Sequence, residues 1–417
     1  MRFSLDALLH VVLVAVAALL FSATPTDTIR VHADSDSVHT RAEMAPIQVR
    51  PVIPLGDLYS GTLGIGLGAG IGVENVGWPG SDVTATAFVA QHGYGADLTL
   101  TSSDPYTTPL YGVLHGELTR ATRRRFFGTG PFTAEADLLE LRHTQATVEA
   151  RLGAYPLGTT ALLVQPSARL LIDHVDALDL DTEAALRQLD ASSQASARTV
   201  VGDTRMGVSF GLELASDRLD QPDYPSSGTY ASVEARRFVA LDGSDLRFTR
   251  FASSISGYIP VRGRTVLMAH ATGIVTRQDA DAILPFTVLP TLDNTVMLAY
   301  PQDRFRGRDA LALSLGIRIP VASLYGLYGI DAELAGTAGN TYTNLFDQFA
   351  PSVSFASALP EDTTAPLRPA ASLGVSLVNL SSQSRVVGGR IGVSPEGLWV
   401  GLVSRFSDLR DVVPLFR

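Results

Sequence analysis

Residues 62–74 alternate strictly between apolar side chains and glycine or polar residues. In a β-strand successive side chains point to opposite faces, so this segment predicts a strand with one apolar face. The Gly-x-Gly spacing superficially fits a dinucleotide-binding loop, but the glycines keep the alternation and no helical pattern follows them, so we reject that interpretation. The apolar positions are Leu63, Ile65, Leu67, Ala69, Ile71 and Val73, and the glycines are Gly64, Gly66, Gly68, Gly70 and Gly72.

The same period of two returns along the chain. In Met206–Leu214 and Leu311–Ile319 every second residue is apolar, while charged residues such as Glu213 and Arg318 lie between them. Charged residues within strands suit a barrel with a wet lumen and an apolar outside. We count about 16 such segments, an even number as in single-chain bacterial barrels. The sequence therefore predicts an all-β fold, a 16-stranded antiparallel transmembrane β-barrel. The segments begin near residues 59, 80, 93, 108, 132, 145, 159, 203, 228, 245, 264, 309, 324, 370, 384 and 397.

Composition excludes several other classes of protein. Charged residues make up 18% of the chain, the mean hydropathy is +0.18, and the single long apolar run is N-terminal. These values argue against a disordered chain and against a bundle of membrane-spanning helices. All 32 basic residues are arginines, and the net charge of −10 argues against a nucleic-acid partner. Without cysteine the chain has no disulfide, no thiolate metal site and no cysteine-linked lipid anchor.

The N-terminus has the pattern of an export signal. Arg2 precedes the apolar stretch Ala7–Phe21, which is about as long as the apolar region of a signal peptide. We predict a signal peptide over residues 1–33, cleaved near 23 or 33, and the alternative is a single anchor helix. A tail over 34–57, the barrel over 58–408 and a C-terminal extension over 409–417 follow. Export and the barrel pattern together predict the bacterial outer membrane.

Connections between the predicted strands differ in length. Long ones span 173–202, 277–309 and 335–369, and short ones span 241–244, 261–264 and 395–396. Outer-membrane barrels have short periplasmic turns and long external loops, and we expect that asymmetry here. One long loop has an aspartate followed by good helix formers, which predicts a helix over Asp181–Leu189.

Several segments resemble the barrel of the BamA/TamA-type outer-membrane assembly proteins, the bacterial surface antigen superfamily. The resemblance covers about Leu63 to Ser407, and it depends on the order of the motifs more than on any one of them. They are Phe127-Gly128-Thr129-Gly130, Asp203-Thr204-Arg205, Tyr224-Pro225-Ser226-Ser227-Gly228, Gly257 to Val261, Leu284-Pro285-Phe286, Asp303 to Arg308, Gly316 to Val321, Gly329-Ile330-Asp331-Ala332, and Glu396 to Phe406.

The chain also departs from the family pattern. Family members usually carry periplasmic POTRA domains before the barrel, and the tail over 34–57 is too short for one, so we expect a POTRA-less member. The family's sixth external loop carries Leu-Arg-Gly-Tyr, whose arginine pairs with acids on the lumen wall. One register places Leu298-Ala299-Tyr300 there, and a second uses Arg306-Gly307. At the position of the twelfth strand where the family has an acid, this chain has Gly316. The acid of the thirteenth strand is retained as Asp331 in either register.

Two groups of residues are candidate functional sites. An ion pair between the sixth loop and the wall would hold the loop as a plug, and we predict pairing of Arg304, Arg306 or Arg308 with Asp331 and Glu333. The alternative is that these are solvated charges. The second candidate is the closing seam between the first strand, with Gly64, Gly66, Gly68, Gly70 and Gly72, and the last strand, with Phe406. Glycines weaken strand packing and permit bending, as a lateral gate requires.

The resemblance implies a role in inserting or translocating outer-membrane proteins. The expected partners are outer-membrane lipid and unfolded outer-membrane proteins or periplasmic accessory proteins. The alternatives are a structural or pore-forming barrel without assembly activity and, more remotely, a soluble exported β-protein. We expect no enzyme activity, no cofactor and no metal, because the eight histidines are scattered. His270 lies opposite Ser253–Ser256 in the predicted sheet, and we interpret it as a lumen or interface residue.

Overall fold

The computed structural model describes most of the barrel region. The described residues are 47–52, 59–60, 63–76, 80–102, 110–133, 138–155, 162–177, 179–221, 224–279, 282–292, 297, 299–356, 359, 364–380 and 384–403. The predicted signal peptide, most of the tail, Phe406 and the C-terminal extension lie outside them. No helix within the described ranges is long and apolar enough to cross a membrane.

Strands make up 67% of the structure, and nearly all of them pair antiparallel in one large sheet. The strands are β1 Gln48–Val52, β2 Tyr59–Ser60, β3 Gly64–Glu74, β4 Asp82–Ala90, β5 Gly93–Thr101, β6 Leu110–Phe126, β7 Leu139–Ala154, β8 Leu163–Val175, β9 Thr204–Asp217, β10 Gly228–Ala240, β11 Arg247–Arg262, β12 Thr265–Gln278, β13 Thr291–Leu292, β14 Phe305–Arg306, β15 Asp309–Leu324, β16 Tyr328–Tyr342, β17 Phe349–Val353, β18 Ala365–Asn379, β19 Ser384–Ser394 and β20 Gly397–Val403. The helices are α1 Leu180–Leu186, α2 Ala191–Arg198 and α3 Leu345–Gln348.

The predicted fold class is confirmed, since sixteen strands form the main sheet. One strand differs from the prediction, however. The segments expected to begin near 132 and 145 are parts of the single strand β7. The missing strand is β1, which lies in the segment predicted as a tail and pairs antiparallel with β3, from Gln48 opposite Glu74 to Val52 opposite Gly70. The sheet therefore begins before residue 58.

Side chains alternate between the two faces of the sheet as the sequence predicts. In β9, Phe210 and Leu214 are exposed while Ser209 is buried. In β15, Leu315 is 70% exposed and Arg318 is only 3% exposed. Apolar side chains thus cover the outside, where lipid surrounds a barrel, and polar side chains line the lumen.

Connections of very different length sort to the two ends of the sheet, because each strand reverses the chain direction. The long connections 176–203, 279–308 and 343–364 share one end, which we call the long-loop end. Two connections predicted as short turns, 241–244 and 395–396, belong to this end as well, whereas the connection between β11 and β12 lies at the opposite, short-turn end. Loop length alone therefore does not assign the side of every turn.

The connection 176–203 contains the predicted helix, but α1 covers Leu180–Leu186 rather than Asp181–Leu189. Asp179 caps α1 by accepting a hydrogen bond from the backbone N–H of Thr182 at 2.8 Å, as an aspartate at this position commonly does. The sequence did not predict α2, which begins after Asp190 with the same kind of cap. Ser196 of α2 donates a hydrogen bond to the backbone oxygen of Leu284 at 2.7 Å, so this loop packs on the connection between β12 and β15.

Candidate functional site

The connection 279–308, which we call the luminal loop, lies inside the barrel over its described residues. It contains the short strands β13 and β14, which pair with each other. Inward-facing residues of the wall, such as Ile274 of β12 and Ala312 of β15, pack against its apolar side chains. The buried loop residues in this cluster are Leu292, Met297, Ala299, Tyr300 and Phe305. These apolar side chains would face water in an exposed external loop. Their burial in the lumen is therefore favourable.

Arg304 anchors the luminal loop to two distant parts of the sheet. Its guanidinium donates to both carboxylate oxygens of Glu396, at 2.7 and 2.6 Å, and to the hydroxyl and backbone oxygen of Thr133, at 2.8 and 2.7 Å. Arg368 also donates to Glu396, at 2.8 Å. Arg304 is 0% exposed and the Glu396 side chain 2%. Because Thr133 follows β6 and Glu396 precedes β20, one side chain joins the two halves of the wall.

A second ion network holds the same loop against β6, β7 and β8. Arg306 forms an ion pair with Asp303 within the loop. The other carboxylate oxygen of Asp303 lies 3.5 Å from Arg124 Nε on β6. Arg124 in turn contacts His143 Nδ1 of β7 at 2.7 Å, and His143 pairs with Asp173 of β8. Charges from three wall strands and the loop are thus connected in one buried network.

Asp303 is the acid at which this network joins the loop to the wall. Burial alone would raise the pKa of Asp303. The nearby guanidinium groups of Arg124 and Arg306 lower it by more than burial raises it, so the pKa lies below its ordinary value. The carboxyl group is therefore held in its charged form, which both arginines require as a partner.

The turn Phe127-Gly128-Thr129-Gly130 also belongs to the site. Gly130 donates its backbone N–H to the backbone oxygen of Arg306 at 2.7 Å, and the ring of Phe127 lies 5.3 Å from the Arg304 guanidinium. Gly128 and Gly130 have φ angles of 89° and 91°, which favour glycine. The sequence identified this turn only as a family motif, and the structure gives it a contact with the luminal loop.

The predicted pairing of the loop arginines with Asp331 and Glu333 is wrong. In the described residues, Arg304 pairs with Glu396, Arg306 pairs with Asp303, and Arg308 makes no ion pair. Asp331 pairs with Arg264 at 2.6 Å and accepts a hydrogen bond from Tyr224, while Glu333 pairs with two arginines of β19, Arg385 and Arg390.

Distance along the strands explains this correction. The loop arginines directly precede Asp309, the first residue of β15, whereas Asp331 lies opposite Pro320 of the same strand. Eleven residues of strand correspond to about 35 Å, so the two groups lie at opposite ends of the barrel. The partners that the sequence missed are Arg124, His143, Asp173, Asp303 and Glu396. Glu396 was identified only as the start of the last strand, because pairing between distant segments leaves no local pattern.

The second candidate site is the seam between the first and last strands of the sheet. The first strand is β1, and not β3 as the sequence predicted. Without β1 the sheet would have fifteen strands, and β3 and β20 would run in the same direction. With β1 the number is even, and the first and last strands run antiparallel, as closure of an antiparallel barrel requires. In the described part of the chain β20 pairs with β19, and no pairing joins β20 to β1 or β3. The seam thus lies between β1 and β20.

The predicted seam glycines are all on β3, which lies one strand away from the edge. They are Gly64, Gly66, Gly68, Gly70 and Gly72. They alternate with the outward residues Leu67 and Ile71. A Cβ on Gly70 would come within 2.4 Å of the backbone oxygen of Ala85 on β4, so the absence of a side chain lets the two backbones approach closely. Phe406, the predicted partner on the last strand, is outside the described residues.

His270, which the sequence places opposite Ser253–Ser256, contacts one of these serines in the lumen. Ser256 Oγ lies 2.9 Å from His270 Nδ1, but Nε2 of His270 is buried without a hydrogen-bond partner. A catalytic triad needs an acid at that nitrogen to orient the ring. The described residues also include no cluster of three or more metal-ligating side chains.

Comparison with known proteins agrees with this geometry. The Omp85 superfamily domain matches residues 80–288, half of the 417-residue chain. No curated protein matches the sequence.

Two solved structures share the fold. BamA from Haemophilus ducreyi lacking POTRA domains 1-3 is 12% identical, with a TM-score of 0.52 over 87% of this chain and 67% of that chain. CdiB from Escherichia coli is 12% identical, with a TM-score of 0.50 over 85% of this chain and 61% of that chain. The present chain thus spans about three fifths of CdiB. From the match over half of its length and from its sixteen-stranded sheet, the chain belongs to the Omp85 superfamily and is a bacterial outer-membrane β-barrel protein.

Proposed function

We propose that this protein inserts or translocates outer-membrane proteins through the seam of its barrel. The observation that carries the proposal is the combination, in an Omp85 barrel, of a loop buried against the lumen wall and a sheet whose first and last described strands are unpaired with each other. A loop held in the lumen obstructs simple diffusion, and an unpaired edge offers backbone groups to an incoming strand.

The buried charges support a loop that stays in place. Arg304 and Glu396 are almost completely buried, and breaking such a pair by removing one partner commonly costs about 3–5 kcal/mol. The loop is therefore a stable part of the resting barrel rather than a mobile external segment. This favours assembly activity over the alternative of an open pore.

The edge strand supports a seam that can open. β1 has only five residues, whereas inner strands such as β6 and β7 pair over fifteen. A strand this short can form few backbone hydrogen bonds across the seam to β20, and fewer hydrogen bonds mean a smaller free-energy cost of opening the seam. The clients would be unfolded outer-membrane proteins, delivered by periplasmic accessory proteins, and the surrounding partner is outer-membrane lipid. The role requires no catalysis and no cofactor.

Reconstitution tests the proposal directly. The purified protein in vesicles is mixed with a urea-unfolded outer-membrane barrel, and folding is followed by protease resistance. We expect faster folding than in empty vesicles or in vesicles with an unrelated sixteen-stranded porin. Equal rates in all three would contradict assembly activity, and a steady large conductance in planar bilayers would support the pore instead.

A reversible lock at the seam tests the route. The protein has no native cysteine, so Val49→Cys, near the start of β1, can be combined with Val400→Cys or Leu402→Cys, which lie further along β20 toward the short-turn end at which β1 begins. The combination that cross-links should stop client folding when oxidised and restore it when reduced. The single Val49→Cys variant under the same oxidation is the control and should remain active.

A further inference from the structure

Arginines cluster on the outer face of the barrel at the long-loop end. They lie on the strands from β6 to β12, within a few residues of where those strands meet the long loops. We call this group the arginine arc. Its members are Arg120, Arg123 and Arg125 of β6, Arg142 of β7, Arg237 of β10, Arg247 of β11 and Arg277 of β12.

Strand alternation establishes that these side chains face outward. Arg142 precedes His143, whose side chain is buried in the lumen. Arg247 likewise precedes the buried Phe248, and Arg237 lies between the buried residues Arg236 and Phe238. Because neighbouring residues of a strand point to opposite faces, the arc arginines are directed away from the lumen.

The arc has more positive charge than its own acids can balance. Arg123 lies 3.6 Å from Glu140, Arg277 lies 3.4 Å from Asp309, and Arg237 pairs with Asp279. The other four arginines have no ion pair with any described residue, and these are Arg120, Arg125, Arg142 and Arg247. At the edge of a membrane, an unpaired guanidinium lies where anionic headgroups are found.

The arc covers only one side of the barrel. Across the lumen, the outward positions near the same end of β15, β18, β19 and β20 are apolar, such as Leu313, Val393 and Leu398. At the short-turn end of β9 and β11, outward positions such as Leu214 and Ile259 are apolar. The arginines there are fewer than in the arc: Arg218 after β9, Arg262 at the end of β11, and Arg264, which pairs with Asp331. Arginines that only marked the membrane boundary would be expected at both ends and around the whole circumference. The asymmetry therefore indicates a specific contact.

We propose that the arginine arc binds the phosphate groups of phosphorylated lipids in the outer leaflet. The long loops are external in outer-membrane barrels, so the arc lies at the height of the outer-leaflet headgroups. The planar guanidinium can donate two parallel hydrogen bonds to a phosphate, and the aliphatic stem of each arginine can lie along the apolar surface below. The seam is flanked by β19 and β20, which lack such arginines in their described parts. Anionic lipid is thus held away from the seam.

This proposal depends on the outer-membrane location and is independent of assembly activity. The test places the protein in vesicles of neutral phosphatidylcholine containing a minor fraction of spin-labelled lipid A, and electron paramagnetic resonance measures the protein-bound fraction. We expect lipid A to be enriched at the protein relative to spin-labelled phosphatidylcholine. An equal bound fraction of the two lipids would overturn the proposal.

Charge-neutralising variants locate the site. Because each arginine near an anionic headgroup adds to the attraction, Arg120→Gln, Arg142→Gln and Arg247→Gln together should lower the relative affinity for lipid A by at least about tenfold. The matched control is Arg187→Gln, Arg218→Gln and Arg262→Gln, which changes the net charge equally outside the arc. Lysine at the three arc positions should retain most of the preference. An equal loss in the control triple, or an unchanged preference in the arc triple, would overturn the proposal, and circular dichroism verifies that each variant folds.

Discussion

At the scale of single residues, Glu396 is the acid that two buried arginines of the luminal site share. Its carboxylate accepts hydrogen bonds from two buried arginines, Arg304 of the luminal loop and Arg368 of β18. Two cations that share one acid in a dry environment depend on it strongly, since neither can be solvated by water. A single carboxylate therefore determines whether the loop is held against the wall.

Glu396→Gln should destabilise the barrel although it keeps the size of the side chain. The amide cannot neutralise either arginine, so we expect the free energy of unfolding to fall by about 3 kcal/mol. Urea unfolding in detergent, followed by tryptophan fluorescence, measures this change. The control Glu183→Gln removes an acid of the exposed helix α1 that pairs with Arg187 and Arg198, and it should leave stability unchanged. An equally small effect of both substitutions would show that the buried pairs do not hold the loop.

At the scale of elements, β1 determines how the barrel can close. It pairs with β3 over only five residues, yet it makes the number of strands even and places the edges of the sheet antiparallel. It also brings the start of β1 and the end of β20 to the short-turn end. The strand is short, but the topology requires it.

The register of β1 can be tested by cross-linking. Val49 lies opposite Val73, so the double variant Val49→Cys and Val73→Cys should form a disulfide in the membrane-embedded protein. The control combines Val49→Cys with Leu67→Cys, which is on the same face of β3 but six residues further along, about 20 Å away. Gel mobility with and without reductant distinguishes the two. Failure of the Val49–Val73 pair to cross-link, or equal cross-linking of the control, would show that β1 is not paired with β3 in this register.

Local sequence patterns predicted most of the strands. They failed where the structure depends on pairing between segments that are far apart in the sequence. Alternation in residues 62–74 and 206–214 is a property of each strand alone, and β3 and β9 are found there. β1 contains Pro51, and Pro54 follows two residues after its end in the sequence; prolines argue against a strand when read locally. Its pairing with β3 overrides that preference. The same limit explains why the acids at Asp331 and Glu333 were chosen as partners of the loop arginines.

At the scale of the whole molecule, the luminal loop is fixed at the long-loop end of the barrel, and a separate polar cluster lies at the short-turn end. Arg304 and Asp303 hold the loop at the long-loop end through their ion pairs with Glu396 and Arg124. Tyr224, Arg264 and Asp331 form the other cluster. Because the two groups of charges share no residue, a change at one end can alter the block of the lumen without dismantling the other end.

The block should respond to acid through Asp303. Its pKa lies below the ordinary value, because Arg124 and Arg306 outweigh the effect of burial, and His143 and Asp173 complete the facing charges. A carboxyl group whose pKa is lowered by folding stabilises the fold above its unfolded pKa of about 4, and this contribution is lost as the pH falls through the folded value. Wild-type conductance in planar bilayers should therefore be low at neutral pH and rise only below about pH 4.

Asp303→Asn should already conduct more at neutral pH and change less on acidification. Asp220→Asn, at the short-turn end, is the control and should behave like wild type. If Asp303→Asn and wild type conduct equally at every pH, the network around Asp303 does not hold the plug.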